Sequence, residues 1–458
     1  MKTFDAIIVG TGQAGPFLAG RLTAAGMTVA VIERKLVGGT CVNVGCTPTK
    51  TMVASARAAH VARQAAAYGV VLGGPVSVDM RRIKARADAV VAESRDGLKA
   101  WLTGMSRCTL IEGHARLESA RTVRVGDEVL GASRIFLDVG ARARIPTMPG
   151  VGEVQFLTST SMLALDTLPQ HLVVVGGSYI GLEFAQMFRR FGSEVTVVEM
   201  ASRLVGREDD DTSEAVKGIL EGEGITVRCA AKCVALGKAD PAITVRLDCS
   251  VGADSVTGSH VLLAVGRQPN TDDLGLDRAG IAVDARGYVV VDDQLRTNVD
   301  TVWALGDCNG RGAFTHTAYN DFEIVAANLL DGDHRRVSAR LGAYALYMDP
   351  PLGRVGLTER EARATGRPFL VGRRPMTHVG RAVEKGETQG FMKILVDAES
   401  NLIVGAAILG TGGDEAIHGI LDVMTAGAPA TTLRRSMPIH PTVSELIPTV
   451  LGDLVASV

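Results

Sequence analysis

A strand, a glycine turn, a helix and a second strand closed by an acid occur twice in this chain, and no other feature restricts its fold so tightly. Ala6-Ile7-Ile8-Val9 is an apolar run of buried-strand type. Gly10-Thr11-Gly12-Gln13-Ala14-Gly15 breaks it and opens a helical stretch, and Val29-Ala30-Val31-Ile32 then runs into Glu33. Leu172-Val173-Val174-Val175, Gly176-Gly177-Ser178-Tyr179-Ile180-Gly181 and Val195-Thr196-Val197-Val198-Glu199 repeat the order. The first glycine and the acid are 23 positions apart in both copies, Gly10 to Glu33 and Gly176 to Glu199. Both read as βαβ units.

The residue types have a chemical reason. The first glycine permits a tight turn, the second lets backbone approach a pyrophosphate, and the third lets helix pack on strand. The helix N-terminus adds N–H donors and partial positive charge, and the acid accepts from ribose hydroxyls. Gly10, Gly12, Gly15 and Glu33 are therefore candidate dinucleotide-binding residues, as are Gly176, Gly181 and Glu199; the second copy departs at Ser178, where the middle glycine would stand. Two dinucleotides in one chain imply electron traffic between them. Glu199 would repel a 2′-phosphate and so favours NADH, although Arg203 and Arg207 leave NADPH open.

At 458 residues the chain exceeds what one hydrophobic core serves, so several domains are expected. Its 48 basic and 50 acidic residues and 4% aromatics supply neither a positive field nor stacking platforms for nucleic acid. No secretory leader or run of about 18 apolar residues is present, which points to a cytoplasmic protein with no membrane partner. Of seven cysteines, Cys108, Cys229, Cys233, Cys249 and Cys308 are scattered, and Cys41 and Cys46 stand close together. The helical run around Arg81-Arg82-Ile83-Lys84-Ala85-Arg86, continuing to Trp101, reads as a solvated face, and Cys229 and Cys233 as buried thiols.

The close pair asks for a redox or metal explanation, with two buried cysteines as the plain alternative. It lies in Gly38-Gly39-Thr40-Cys41-Val42-Asn43-Val44-Gly45-Cys46-Thr47-Pro48-Thr49-Lys50. On an ideal helix Cα atoms five residues apart are roughly 8.7 Å apart, beyond the ~7 Å a disulfide tolerates. The pair can bond only if the turn is distorted, and Gly45 offers that freedom. Thr47-Pro48 reads as an N-cap and first helical position, which would set a Cys46 thiolate beside a helix N-terminus and lower its pKa. A structural zinc lacks a second Cys/His pair at suitable spacing, so no metal site is expected.

This segment, with both glycine turns, resembles the flavoprotein pyridine nucleotide-disulfide oxidoreductases, the group that includes dihydrolipoyl dehydrogenase, glutathione reductase and mercuric reductase. The resemblance covers essentially the whole chain. It implies FAD on the first turn, with Thr40 beside it, NAD(H) or NADP(H) on the second, and the cysteine pair against one face of the flavin. It further implies that Cys46 makes the thiolate–flavin contact, Cys41 exchanges with substrate, Lys50 lies near the flavin paired with Glu183, and Tyr179 gates the nicotinamide pocket. The segment from Thr297 to Asp307 resembles the family's second FAD motif, with Asp307 on the ribityl chain. The helix beginning near Phe314-Thr315-His316 would point at the flavin, with His316 either at the cofactor or structural. Val265–Thr271 resembles the connector leaving the NAD domain.

The C-terminal part resembles the family's interface domain. Gly390–Val396 and Leu402–Ala407 read as an antiparallel strand pair, and His440-Pro441-Thr442-Val443-Ser444-Glu445 as a turn that returns Glu445 to the His440 imidazole, raising its basicity. In the family this histidine comes from the partner subunit, which implies a homodimer with a shared active site. Mercuric reductases end in a vicinal cysteine pair, whereas here no cysteine follows Cys308, so mercury is not the expected substrate.

The fold class expected is α/β: two Rossmann-like dinucleotide-binding domains, for FAD and NAD(P), and a C-terminal α+β dimerisation domain. The expected bounds are 1–145 and 271–340 for FAD, 146–270 for NAD(P) and 341–458 for the interface. The activity expected is NAD(P)H oxidoreduction of a disulfide or dithiol substrate. Two alternatives are a reductase of metal ions, quinones or oxidants, and a nucleotide-sensing flavoprotein without turnover.

Overall fold

The computed structural model describes residues 1–249 and 252–457; Val458, the last residue of the cysteine-free tail, lies outside them. Strands Lys2–Val9 and Val29–Glu33 pair in parallel, Ile7 opposite Ala30, and the helix Gly15–Ala24 connects them. Ala6, Ile7 and Ile8 are fully buried, as expected of strands covered on both faces. Cys108–Glu112 extends the sheet beyond Val29–Glu33, and Glu128–Leu137 and Val302–Ala304 extend it on the other side, all in parallel; Thr122–Val125 and Ala115–Ser119 add an antiparallel edge. The strand Val302–Ala304 brings residues about 300 positions along the chain back beside the first glycine turn.

The second unit repeats this on a smaller scale. Thr226–Arg228, Glu194–Val198, His171–Val175 and His260–Leu263 form a parallel sheet with the helix Tyr179–Phe191 packed on it. A separate antiparallel sheet of Ala231–Ala239, Ala242–Cys249 and Ser255–Gly258 covers it. Cys233 lies in that sheet, while Cys229 falls just after Thr226–Arg228; both are half-buried, and burial pushes both thiols up. Arg267–Pro269, within the expected connector, pairs with Ala141–Ala143 and ties the two units together.

The third unit is an antiparallel sheet in the order Ala343–Leu346, Leu352–Gly356, Ile403–Leu409, Phe391–Asp397, Phe369–Pro375 and Val455–Ala456. Its Phe391–Asp397 and Ile403–Leu409 pair is the hairpin expected from sequence. The basic run lies on the helix Met80–Gly104, capped by Asp79, whose side chain accepts from the Arg82 amide.

A buried charge seam joins the second and third units. Arg354 and Glu208 are paired at 1% and 0% side-chain exposure. The second Glu208 oxygen accepts from Tyr344 Oη at 2.6 Å. Lys393, also buried, reaches Asp209 and Asp211 at 2.9 Å and Glu359 at 3.3 Å. Removing one partner of such a pair strands an uncompensated charge. Arg354→Ala is therefore expected to lower stability by about 3–5 kcal/mol, and Arg354→Met with Glu208→Met to recover most of the loss, both read by chemical denaturation.

Candidate active site

The two glycine turns have matching geometry. Gly10 and Gly176 adopt φ of 104° and 117°, and a Cβ on either would lie 2.2 Å from the Asp138 carbonyl oxygen or 2.4 Å from that of Ala264. Glu33 accepts from the Thr11 amide at 3.1 Å and its hydroxyl at 2.6 Å; Glu199 accepts from the amides of Gly177 at 2.6 Å and Ala201 at 2.7 Å. Each acid thus braces its own turn. Gly15 and Gly181 pack against the carbonyls of Gly10 and Gly176, at 2.7 and 2.1 Å from a built Cβ.

The departure at Ser178 has a physical reason. A Cβ on Gly12 would lie 2.9 Å from both carboxylate oxygens of Asp138. The residue matching Asp138 beside the second turn is Ala264, which has no carboxyl group, and Ser178 sits there in extended backbone as the helix N-cap. Bare backbone, positive-φ glycines and helix N-termini fit two dinucleotides. Arg203 is ion-paired with Asp210, and Arg207 is exposed.

The cysteine segment docks directly on the first turn. Gly39, with φ of 59°, approaches so closely that its Cβ would lie 2.9 Å from the Gly12 Cα, and the Gly38 amide donates to Thr11 Oγ1 at 3.1 Å. The helix breaks at Gly45, between Gly39–Val44 and Cys46–Gln64, where a Cβ would lie 2.7 Å from the Thr40 carbonyl. The distortion expected at Gly45 is present, but the cap differs from expectation. Gly45 is the N-cap, Cys46 the first helical residue, and Thr47 and Pro48 lie within the first turn, where proline's missing N–H costs nothing.

Cys46 is exposed and Cys41 half-buried. Thr315 Oγ1 stands 3.2 Å from Cys41 Sγ and 3.3 Å from Cys46 Sγ. The hydrogen bond from Cys41 chiefly, with Thr315 and the Lys50 charge adding to it, brings the Cys46 thiol down to about 6 against burial, while Cys41 is pushed up by the same bond and by burial. Lys50 Nζ pairs with Glu183 at 2.7 Å and lies 4.7 Å from the Tyr347 ring centre; the other Glu183 oxygen accepts from the Tyr347 amide at 3.0 Å. Thr40 is half-buried.

Tyr179 meets Tyr344 and Phe314 edge-on at 5.4 and 6.1 Å, and its buried hydroxyl has no hydrogen-bond partner among the described residues. Burial and Glu208 push that hydroxyl up to about 12. His316 stacks on Phe314 at 5.4 Å, and its Nε2 is 2.7 Å from the Ala343 carbonyl. Asp307, in the turn Gly306–Asn309, is raised by burial against the pull of Arg267, whose Nε donates to it at 3.2 Å. His440 Nδ1 is 2.9 Å from Glu445, and the imidazole is 80% exposed, flanked by exposed Met437 and Ile439. The peptide bond between His440 and Pro441 is cis. Among the described residues no group of three or more His, Cys, Asp or Glu could hold a metal ion, and no helix is long and apolar enough to cross a membrane.

Thr315 went unrecognised in the sequence. It lies 269 positions from Cys46 in the helix start expected to face the flavin, and only the fold brings its hydroxyl onto the sulfur pair.

Two nucleotide turns, a thiol pair welded to one of them and a half-buried lysine held by a buried glutamate beside it define a flavin- and nicotinamide-dependent thiol oxidoreductase. The chain belongs to the pyridine nucleotide-disulphide oxidoreductases: residues 4–321 match that family and residues 343–451 its dimerisation domain. It is 36% identical over 454 residues to the probable pyridine nucleotide-disulfide oxidoreductase RclA of Escherichia coli, covering 97% of this chain and 98% of that one. It is 32% identical to the dihydrolipoyl dehydrogenase of Thermus scotoductus over 97% and 96%, and 31% to the mercuric reductase of Streptomyces lividans over 97% and 94%. The solved Cu(II) complex of the HOCl-induced flavoprotein disulfide reductase RclA from Escherichia coli superposes with a TM-score of 0.90 at 35% identity, covering 99% of both chains. The chain is thus an FAD-dependent oxidoreductase of sulfur groups that uses NAD(P)H, and its dimerisation domain supports a homodimer.

Thr315→Val removes the hydroxyl shared by both sulfurs. Because Cys46 titrates below an ordinary thiol, its thiolate supports the fold fully above the ordinary thiol value and loses that support as pH falls through about 6. The variant is expected to move the midpoint of Cys46 alkylation up by about one pH unit, the size of one hydrogen bond to a charged group. Alkylation rates from pH 5 to 9, followed by peptide mapping, measure it.

Proposed function

We propose that the chain reduces a small-molecule or protein-borne disulfide at the expense of NADH, with dihydrolipoyl-type oxidation as the reverse direction. The observation that carries this reading is the sulfur pair: one low-pKa thiol and one raised thiol sharing Thr315, beside Lys50 held by Glu183.

FAD, bound along Gly10, Gly12, Gly15, Glu33, Thr40 and Asp307, supplies the two-electron relay between the nicotinamide and the sulfur pair. NADH would lie along Gly176, Gly181 and Glu199, with Tyr179 over the nicotinamide pocket. Glu183 holds the Lys50 ammonium in place beside the reacting centre, where a fixed cation favours gain of negative charge. In the reduced protein the Cys41 sulfur, deprotonated by His440 of the partner subunit, attacks one substrate sulfur and breaks the substrate S–S bond. The leaving thiolate takes the proton from that imidazole. The Cys46 thiolate then attacks the Cys41 sulfur of the mixed disulfide, which closes Cys41–Cys46 and releases the second substrate sulfur as a thiolate that takes its proton from water. Glu445 fixes the His440 tautomer throughout. A reducing cytoplasm suits a free thiol pair of this kind.

A second reading, reduction of an oxidised metal ion or another oxidant, is favoured by the Cu(II) complex of the similar RclA. In that case Cu(II) is a substrate that meets the Cys41–Cys46 dithiol.

Steady-state turnover of lipoamide, glutathione disulfide, Cu(II) and quinones with NADH and NADPH separates these readings. Cys41→Ala and Cys46→Ser are expected to abolish disulfide turnover, and His440→Gln to lower it about 10²–10⁴-fold. Wild-type protein should develop long-wavelength charge-transfer absorbance on NADH reduction, lost in Cys46→Ser. Normal disulfide turnover in Cys46→Ser would sink the dithiol mechanism; Cu(II) turnover without disulfide turnover in wild type would favour the second reading.

A further inference from the structure

Beneath the first glycine turn lies an acid that no step above uses. Asp138 follows the strand Glu128–Leu137 and is 5% exposed. Its carboxyl group fills a cradle of three glycines. Built Cβ atoms on Gly12 and Gly15 would lie 2.9 Å from its oxygens, and one on Gly306 would lie 3.3 Å from Oδ1. Gly12 and Gly15 belong to the first dinucleotide turn, and Gly306 precedes Asp307, so this one side chain spans both segments read as holding FAD. Oδ2 accepts from the Gly15 amide at 2.7 Å. Among the described residues no lysine or arginine stands at ion-pair distance from it.

Its neighbours are also acids. Glu33, Asp307 and Asp321 face it, and each has donors of its own: Thr11 for Glu33, Arg267 for Asp307, and Arg340, the Gly306 amide and Asn309 for Asp321. The fully buried Cys308 thiol feels the same group. Among the described residues neither Glu33 nor Asp138 has a countercharge, but Glu33 is half-buried with the Thr11 amide, the Thr11 hydroxyl and the Lys35 amide as donors, whereas Asp138 is buried with the Gly15 amide alone. Burial, with the three acids adding to it against the Gly15 amide, pushes it up to about 8. Beside the second turn the matching residue is Ala264, so the group is an addition specific to the first site.

A pyrophosphate on Gly10–Gly15 brings more negative charge to this cluster and needs the same helix N-terminal donors. Ionised Asp138 would compete and repel, whereas protonated Asp138 still accepts from Gly15 and has an O–H to donate. We propose that Asp138 is a proton-dependent holding residue for the flavin nucleotide, protonated in the loaded enzyme and loosening FAD when it ionises. This rests on the reading that FAD occupies the first turn.

The sign follows from linkage. The folded chain keeps a proton on Asp138 that the unfolded chain has lost, so fold stability falls as pH rises from the ordinary carboxylate range to about 8. Bound FAD raises the group further. Binding then takes up a proton above pH about 8, and affinity falls by up to about tenfold per pH unit. Flavin retained by the holoenzyme after ultrafiltration from pH 7 to 10 is expected to drop steeply in wild type and to stay level in Asp138→Asn. Titration of flavin-stripped wild type with FAD at pH 9.5, in two buffers of different ionisation enthalpy, should show uptake approaching one proton. An equal pH-dependent loss in Asp138→Asn, or no proton uptake by wild type, would overturn the proposal, and the wild-type measurement decides if the variant does not fold. Protein that takes up no flavin at any pH would defeat the underlying reading as well; flavin-replete protein indifferent to pH would defeat this one alone.

Discussion

The contact on which the site depends is backbone against backbone. Gly39 rests on Gly12 with no room for a side chain on either, which fixes the start of the cysteine segment relative to the first nucleotide turn. From that anchor a short helix carries Cys41 outward, and the break at Gly45 turns the next helix so that Cys46 heads it. An unbroken helix would hold the two residues too far apart for their sulfurs to bond. Both devices depend on glycine for lack of space, and between them they set how far the sulfur pair stands from the nucleotide turn.

Charge then sorts the pair. The Cys46 thiolate gains from the Cys41 and Thr315 hydrogen bonds and from Lys50, and Glu183 limits how far Lys50 can act by sharing its charge. Glu183 lies on the helix Tyr179–Phe191 of the second nucleotide unit, so the lysine beside the sulfurs is held by the unit that would carry the nicotinamide. The Arg354–Glu208 and Lys393–Asp209 pairs fasten that same unit to the C-terminal sheet. A buried ion pair is a costly fastener compared with apolar packing, but it is directional and tolerates little misregister.

Much of this was legible in the sequence because it is local. The glycine turns with their acids, the need for a break at Gly45 and the return of Glu445 to His440 all follow from spacing over a few dozen residues or fewer. Lys50 with Glu183 was legible only through the family resemblance. Thr315 over the sulfurs, Arg354 with Glu208, and Asp138 under Gly12 are long-range pairings that no periodicity announces. The helix cap was misassigned to Thr47 because Thr-Pro is a common start signal, and the glycine two positions earlier satisfied the geometry first. Ser178 departs from the first fingerprint where the residue matching Asp138 is Ala264, which has no carboxyl group.

That last pairing couples distant positions in a duplicated motif. Position 12 is held to glycine by the bulk at position 138, whereas position 178 is released by the small residue at 264. The two halves of the molecule are therefore under different epistasis. Swapping the turns between them would fail unless the underlying residue travelled along, because a side chain at position 12 would meet the Asp138 carboxylate.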